Sequence, residues 1–206
     1  MDGDGDLTLI VGLPGTPMSS RFLVCSRTLS RASPVFKAML YGSFKEAFPD
    51  DPKNWVVTLP EDNPGDAMIL LDIIHSRFGQ IPSQLGQGSL SLDKLYHILV
   101  FADKYDMTQL LRPWLQDWIS GLGFLRTSNG IWPAIAIAHE LGSEEVVGHL
   151  VRRITSESRC DDQGNIVVRT NGALYPTINL ETSGLPLVPF GLAGKFPSFV
   201  VVGSLD

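Results

Sequence analysis

Residues 21–46 read RFLVCSRTLSRASPVFKAMLYGSFKE, and the order of signals in this stretch decides the fold. Phe22 to Val24 is an apolar run that fits a short buried strand. Ser26 offers a side-chain oxygen to cap a helix that carries Leu29 one turn inside. Ser33-Pro34 repeats the signal: a capping serine, then a proline at the first helical position, where a backbone N–H has no intrahelical partner anyway. Phe36, Met39 and Leu40 fall on one apolar stripe. Gly42 is placed to end that helix in the left-handed conformation that glycine takes freely. The stretch predicts a strand followed by two short helices meeting at a serine–proline corner.

Upstream, residues 6–11 (DLTLIV) predict a strand, with Gly12 to Pro17 (GLPGTP) as its turn. That loop lacks the Gly-Lys-Ser/Thr run that would reach a phosphate and its magnesium, so it is read as a hairpin turn. Downstream, Ala47 to Asn54 is polar and proline-marked, a loop. Trp55, Val57 and Leu59 then alternate with Val56 and Thr58, which predicts a third strand. Asn63 caps a helix with Pro64 at its first position and Asp66 in its first turn, where an acid complements the helix dipole. Ala67, Leu70, Leu71, Ile74 and Phe78 continue it as a core stripe. His75 lies beside that stripe with no partner at metal-ligand spacing, and is read as a surface or satisfied histidine. After a loop over residues 79–88, Ser91 starts a helix whose face holds Leu92, Leu95, Leu99 and Ala102, widened by Ile98 and Phe101. Asp106-x-x-Gln109 has the form of a capping box ahead of Met107, Leu110, Leu111, Trp114, Leu115 and Trp118. Pro113 falls inside that pattern and predicts a kink or a helix restart.

Read together, these residues resemble the BTB/POZ domain. The motif Phe22-x-Val24…Leu29-x-x-x-Ser33-Pro34-x-Phe36-x-x-Met39-x-x-Gly42-x-Phe44-x-Glu46 is similar to the core of that family. Residues 6–11 resemble its opening strand, Leu59-Pro60-Glu61-Asp62-Asn63-Pro64 the entry to its third helix, and Phe101-Ala102-Asp103-Lys104-Tyr105-Asp106 the signature between its last two helices. The resemblance covers roughly residues 6 to 119, in order, and its wording is most similar to the short fungal branch.

Beyond it, residues 121–130 read as a glycine-bearing linker. Pro133 opens an alanine- and isoleucine-rich helix that Leu141-Gly142 closes. Ser143 caps the next, with Glu144 and Glu145 in its first turn, Arg152 and Arg153 in its last, and Val147, Leu150, Val151 and Ile154 on its apolar face. This pair resembles the BACK-type helices that follow many BTB domains. From Cys160 the pattern fails, except that Ile166–Val168 and Ala173–Tyr175 around Asn171-Gly172 suit a hairpin. The expected fold is α+β: a helical cluster flanked by a short three-stranded sheet, plus a C-terminal helical pair. The expected division is a BTB/POZ domain over 1–119, a BACK-like extension over 120–158 and an irregular tail over 159–206.

Composition bounds the function. Of 206 residues, 44% are hydrophobic and 18% charged, which suits a folded chain rather than a disordered one. A net charge of −6, with sixteen basic residues scattered, argues against nucleic-acid binding. No apolar run approaches the ~20 residues of a membrane helix, and MDGDGD at the start has no apolar core of a secretory signal. Cys25 and Cys160 form neither a disulfide framework nor a CxxC pair, so the cytosol or nucleus is the expected compartment. His139-Glu140 lacks a second histidine four residues on, and no Gly-x-Ser-x-Gly or P-loop occurs. No catalytic, metal or cofactor-binding residue is nominated, and the chain is not expected to be an enzyme.

The resemblance instead implies a protein–protein interaction module. Many BTB proteins hand substrates to cullin-type ubiquitin ligases, entering the cullin with a hydrophobic–x–glutamate triplet after the second helix; Phe44-Lys45-Glu46 stands at that place. Two readings stay open: Phe44 anchors in a partner groove while Glu46 orients the contact, or Phe44 packs on its own core and Glu46 is a solvated loop charge. Adaptor and non-ligase scaffold are thus both carried forward. Dimeric BTB proteins place a swapped helix and strand before the opening aspartate, and the dimeric transcription factors face it with a basic residue. Here MDGDG precedes Asp6, and the facing positions are Cys25 and Ser26. A monomer or weak homodimer is expected.

Overall fold

The computed structural model describes residues 3–49, 54–83, 85, 90–122, 131–160, 166–170 and 173–176. The chain divides into two compact units, Met1–Ser83 with His97–Trp114, and Gln84–Tyr96 with Leu115–Asp206.

The first unit is built on a three-stranded sheet in the order β2–β1–β3. The central strand β1 (Leu7–Val11) pairs antiparallel with β2 (Ser20–Val24) and parallel with β3 (Val56–Leu59), so that Leu9 lies between Phe22 and Val57. Side chains alternate across a strand. Leu7, Leu9 and Val11 therefore share the buried face with Val57 and Leu59, and Trp55 just before β3 is buried too. GLPGTP is the β1–β2 turn: Gly12 and Gly15 take φ +88 and +79°, and a Cβ on Gly12 would stand 2.5 Å from the Met18 carbonyl oxygen. The Phe22–Val24 run is not the buried strand its composition suggests. It lies at the sheet edge, where only Val24 is buried and Leu23 is 39% exposed.

Helices α1 (Ser26–Ala32) and α2 (Pro34–Tyr41) meet at the expected corner, where the Phe36 N–H donates to Ser33 Oγ at 3.0 Å. Ser26 does not cap α1. Cys25 occupies the N-cap without a side-chain bond, and Ser26 is the first helical residue, fully buried, its N–H donating to Asp6 of the chain before β1. Gly42 does end α2, but at φ −95°. Glycine is required there for space, since a Cβ would lie 2.3 Å from the Ala38 carbonyl oxygen.

Helix α3 (Pro64–Ile74) is capped by Asn63, whose Oδ1 accepts the Gly65 N–H at 2.8 Å. Ala67, Ile69, Leu70, Leu71 and Ile73 are buried. The stripe stops short of Phe78. Ser76 turns the chain with φ +59°, and Phe78 falls in a 3-10 turn (Phe78–Gln80), 55% exposed, with its ring 6.0 Å from that of Trp114.

Helix α4 (Leu92–Lys104) begins where Ser91 Oγ accepts the Lys94 N–H, and buries Leu95, Ile98, Leu99, Phe101 and Ala102 on a broad face. Its residues to Tyr96 belong to the second unit and those from His97 to the first. Asp106 closes it at φ +52°, not in the extended backbone a helix N-cap uses, so the expected capping box is absent. A 3-10 helix (Thr108–Trp114) containing Pro113 follows, and α5 (Leu115–Leu122) restarts directly after it, the outcome expected of an interior proline.

In the second unit α6 (Ile131–Glu140) and α7 (Glu144–Glu157) form the expected helical pair, joined at Gly142 with φ +74°. Ala134 to Ala138 are all buried, and Leu150 of α7 is fully buried. Helix α7 runs on to Glu157, so Arg152 and Arg153 sit a turn inside rather than in its last turn. Strands β4 (Ser158–Cys160), β5 (Ile166–Thr170) and β6 (Ala173–Pro176) make an antiparallel sheet in that order. Thr170 pairs with Ala173, so β5 and β6 are the two hairpin strands read from the sequence, while Asn171-Gly172 lies outside the described residues. Strand β4 was not anticipated, so the segment beginning at 159 opens as sheet. The linker expected over 121–130 begins later than its glycines suggest, since α5 runs on to Leu122; residues 123–130 and the tail over 177–206 lie outside the described residues.

Candidate partner-binding site

The Phe44-Lys45-Glu46 triplet sits on the turn that leaves α2. Three hydrogen bonds hold the turn: Ala47 N–H to the Phe44 carbonyl at 3.0 Å, Phe48 N–H back to the Leu40 carbonyl at 2.8 Å, and Trp55 Nε1–H to the Glu46 carbonyl at 3.0 Å. The rings of Phe48 and Tyr41 stand edge-on to the Trp55 indole, at 5.1 Å and 82° and at 6.1 Å and 83°. With its backbone so tied, the turn presents Phe44 59% exposed and Lys45 out in solvent, while Glu46 is largely covered, 3.6 Å from Lys45 Nζ. Phe44 does not pack into the core. Tyr41, Phe48 and Val56 are also half exposed, which gives this corner several apolar groups and one carboxylate. The Lys45–Glu46 pair is a surface pair and adds little to stability.

Beneath the turn lies a hydrogen-bond chain. Asp6 accepts the Ser26 N–H at 2.7 Å and the Ser26 hydroxyl at 2.6 Å. With that proton committed, the 2.7 Å contact between Ser26 Oγ and Tyr41 Oη has tyrosine as the donor. Burial alone would push the Asp6 carboxyl up; the two bonds from Ser26, joined by a bond from its own backbone and the charge of Arg27, outweigh it and hold the group below the usual carboxylate range. Next along, the Cys25 N–H donates to His75 Nε2 at 3.1 Å, which places the ring proton on Nδ1, 2.8 Å from the Leu71 carbonyl. His75 is thus a satisfied structural histidine, as its sequence context suggested. Among the described residues no three His, Cys, Asp or Glu side chains gather where they could hold a metal ion.

A third cluster explains two sequence signatures at once. Tyr105 donates its phenol to Asp62 Oδ2 at 2.6 Å, and Lys104 Nζ donates to both Asp62 oxygens at 2.9 and 3.0 Å. The Tyr105 ring stacks on Phe36 at 4.5 Å and 9°, and the Ser33 hydroxyl donates to the Tyr105 carbonyl. Burial first, then the bond to Asp62, pushes the Tyr105 phenol far up. The serine–proline corner, the LPEDNP segment and the Ala-Asp-Lys-Tyr run, far apart in sequence, meet at one ring.

The family model of the BTB/POZ domain matches residues 5–114, more than half of the chain. The chain belongs to the BTB/POZ family. The matched span ends at Trp114, the last residue of the first compact unit, so the BTB domain contains the triplet, the Asp6 chain and the Tyr105 cluster. BTB domains mediate protein–protein interaction and dimerisation, and this one is a protein-interaction module. No curated protein matches the chain. No helix among the described residues is long and apolar enough to cross a membrane. In the BTB domain Ser26 does face Asp6, as the sequence comparison with the family implied. Sequence reasoning missed Trp55 and Tyr41 as supports of the triplet. Trp55 was read only as an inward strand residue, although a buried indole N–H needs an acceptor somewhere.

Proposed function

We propose that this BTB protein is a substrate adaptor that engages a cullin-type ubiquitin-ligase scaffold through Phe44, Lys45 and Glu46. The observation that carries this reading is the exposure of Phe44, 59%, on a turn whose backbone is tied at both ends. An aromatic held out in solvent by a rigid turn fills a partner groove without first being ordered, which is how an anchor residue gains affinity. Glu46 beside it directs the contact with a charge-assisted bond. The α6–α7 pair fits a BACK-like extension over 120–158 and is where substrate capture is assigned. A monomer or weak homodimer is favoured because Ser26 satisfies Asp6 within one chain. A cytosolic or nuclear location suits such a role.

The test is capture of a purified cullin scaffold by wild type and by the Phe44→Ala, Glu46→Ala double variant, each sized beforehand. Binding by wild type and its loss in the folded variant support the adaptor. Absence of binding by both leaves a BTB scaffold without a ligase role.

A further inference from the structure

Trp55 lies nine residues beyond Glu46 and outside the triplet, yet it contacts the Glu46 carbonyl and the rings of Phe48 and Tyr41. Its indole is 4% exposed, and its N–H, a donor with no acceptor capacity of its own, ends on the Glu46 carbonyl at 3.0 Å. Phe48 and Tyr41 flank the ring edge-on. Tyr41 is fixed in turn by donating to Ser26, which donates to Asp6. The triplet backbone is therefore referenced to the first strand through a chain of directed contacts.

We propose that Trp55 is the positioning residue of the partner-binding turn, and that Tyr41, locked by Ser26 and Asp6, is the wall that keeps its indole aimed at Glu46. This rests on the adaptor reading for its consequence in binding, but the positioning itself is read without a partner. The Glu46 carbonyl lies one bond from the Ala47 amide that closes the turn on Phe44. Loss of the indole bond frees that peptide group to rotate and takes Phe44 and the Glu46 carboxylate out of their common geometry. Phenylalanine in its place keeps a ring in the core but removes the donor.

Native-state hydrogen exchange of the full chain tests this, comparing Trp55→Phe with wild type. The Ala47 and Phe48 amides are expected to exchange at least tenfold faster in the variant after scaling to core amides such as Leu9 and Ile98. A merely structural role moves all of these together. Tyr41→Phe keeps the fold least disturbed and is expected to show the same local acceleration in smaller degree; it decides the matter if Trp55→Phe does not fold. Unchanged or uniformly accelerated exchange in the variant that folds overturns the proposal. Cullin binding read in parallel is expected to weaken about tenfold. If wild type itself does not bind, the adaptor reading fails while the exchange result still stands.

Discussion

Ser26 donates both its backbone N–H and its hydroxyl to the Asp6 carboxylate, at 2.7 and 2.6 Å. Helix α1 has no acid in its own first turn, and the residue just before β1 supplies one. The bond is long-range and holds strand to helix.

The first prediction concerns Asp6. Its carboxyl is held below the ordinary value of 3.8, so its contribution is present above that pH and disappears as pH falls through the lower folded value. Asp6→Asn is expected to be less stable than wild type at neutral pH, with the gap closing in acid. Residue exposure and salt keep the gap small. Urea unfolding across a pH series reads it, and a gap that stays constant down to pH 2 contradicts it.

The second concerns Ser33, whose hydroxyl accepts the Phe36 N–H and donates to the Tyr105 carbonyl while fully buried. Ser33→Ala removes a helix cap and orphans a buried carbonyl together. A loss of about 2 kcal/mol is expected, measured by thermal or urea denaturation. A loss within experimental error would mean that water replaces the hydroxyl.

The third is Gly42→Ala. A Cβ 2.3 Å from the Ala38 oxygen forces the end of α2 to open. The expected cost is roughly 1–3 kcal/mol, with amide shifts concentrated between Ala38 and Phe48. Tolerance of the substitution would show that the α2 exit adapts.

The fourth is Asp72, 6% exposed at its side chain, with Oδ1 making no hydrogen bond and Arg77 Nε 3.4 Å away. Burial pushes its carboxyl above 3.8, against the opposing charge of Arg77. The ionised group therefore weighs against folding once pH exceeds the folded value. Asp72→Asn is expected to raise stability at pH 7, by roughly 1 kcal/mol or less, and to match wild type below pH 4. A variant less stable at pH 7 would show that the Arg77 pair outweighs the burial.

Sequence alone made legible what is chemically local. Ser33-Pro34 and Asn63-Pro64 are caps because serine and asparagine oxygens reach backbone amides two or three residues on, and the structure has both. The Trp55, Val57, Leu59 alternation gave β3, and Pro113 gave the restart at Leu115. Roles set by distant partners were not legible. Ser26 looked like a cap and is a donor to a residue twenty positions earlier. The Phe22–Val24 run looked buried because composition does not reveal which strand lies at the edge. Phe78 kept the helical period that Ser76 breaks. At the candidate site the triplet itself was readable, but the exposure of Phe44 and the bond from Trp55 to the Glu46 carbonyl follow from tertiary packing.

Leu9 meets Val57 only after α1, α2 and the Phe44–Glu46 turn have been threaded between the two strands. Closing that span is unfavourable until the helices supply contacts of their own. Trp55, at the mouth of β3, reaches Glu46 only in the completed fold. A synthetic peptide spanning Ser43–Phe48 carries the letters of the triplet without its shape. If the proposed adaptor role holds, arrays of linear fragments will pass over this corner, and a competitor aimed at it must copy its folded form.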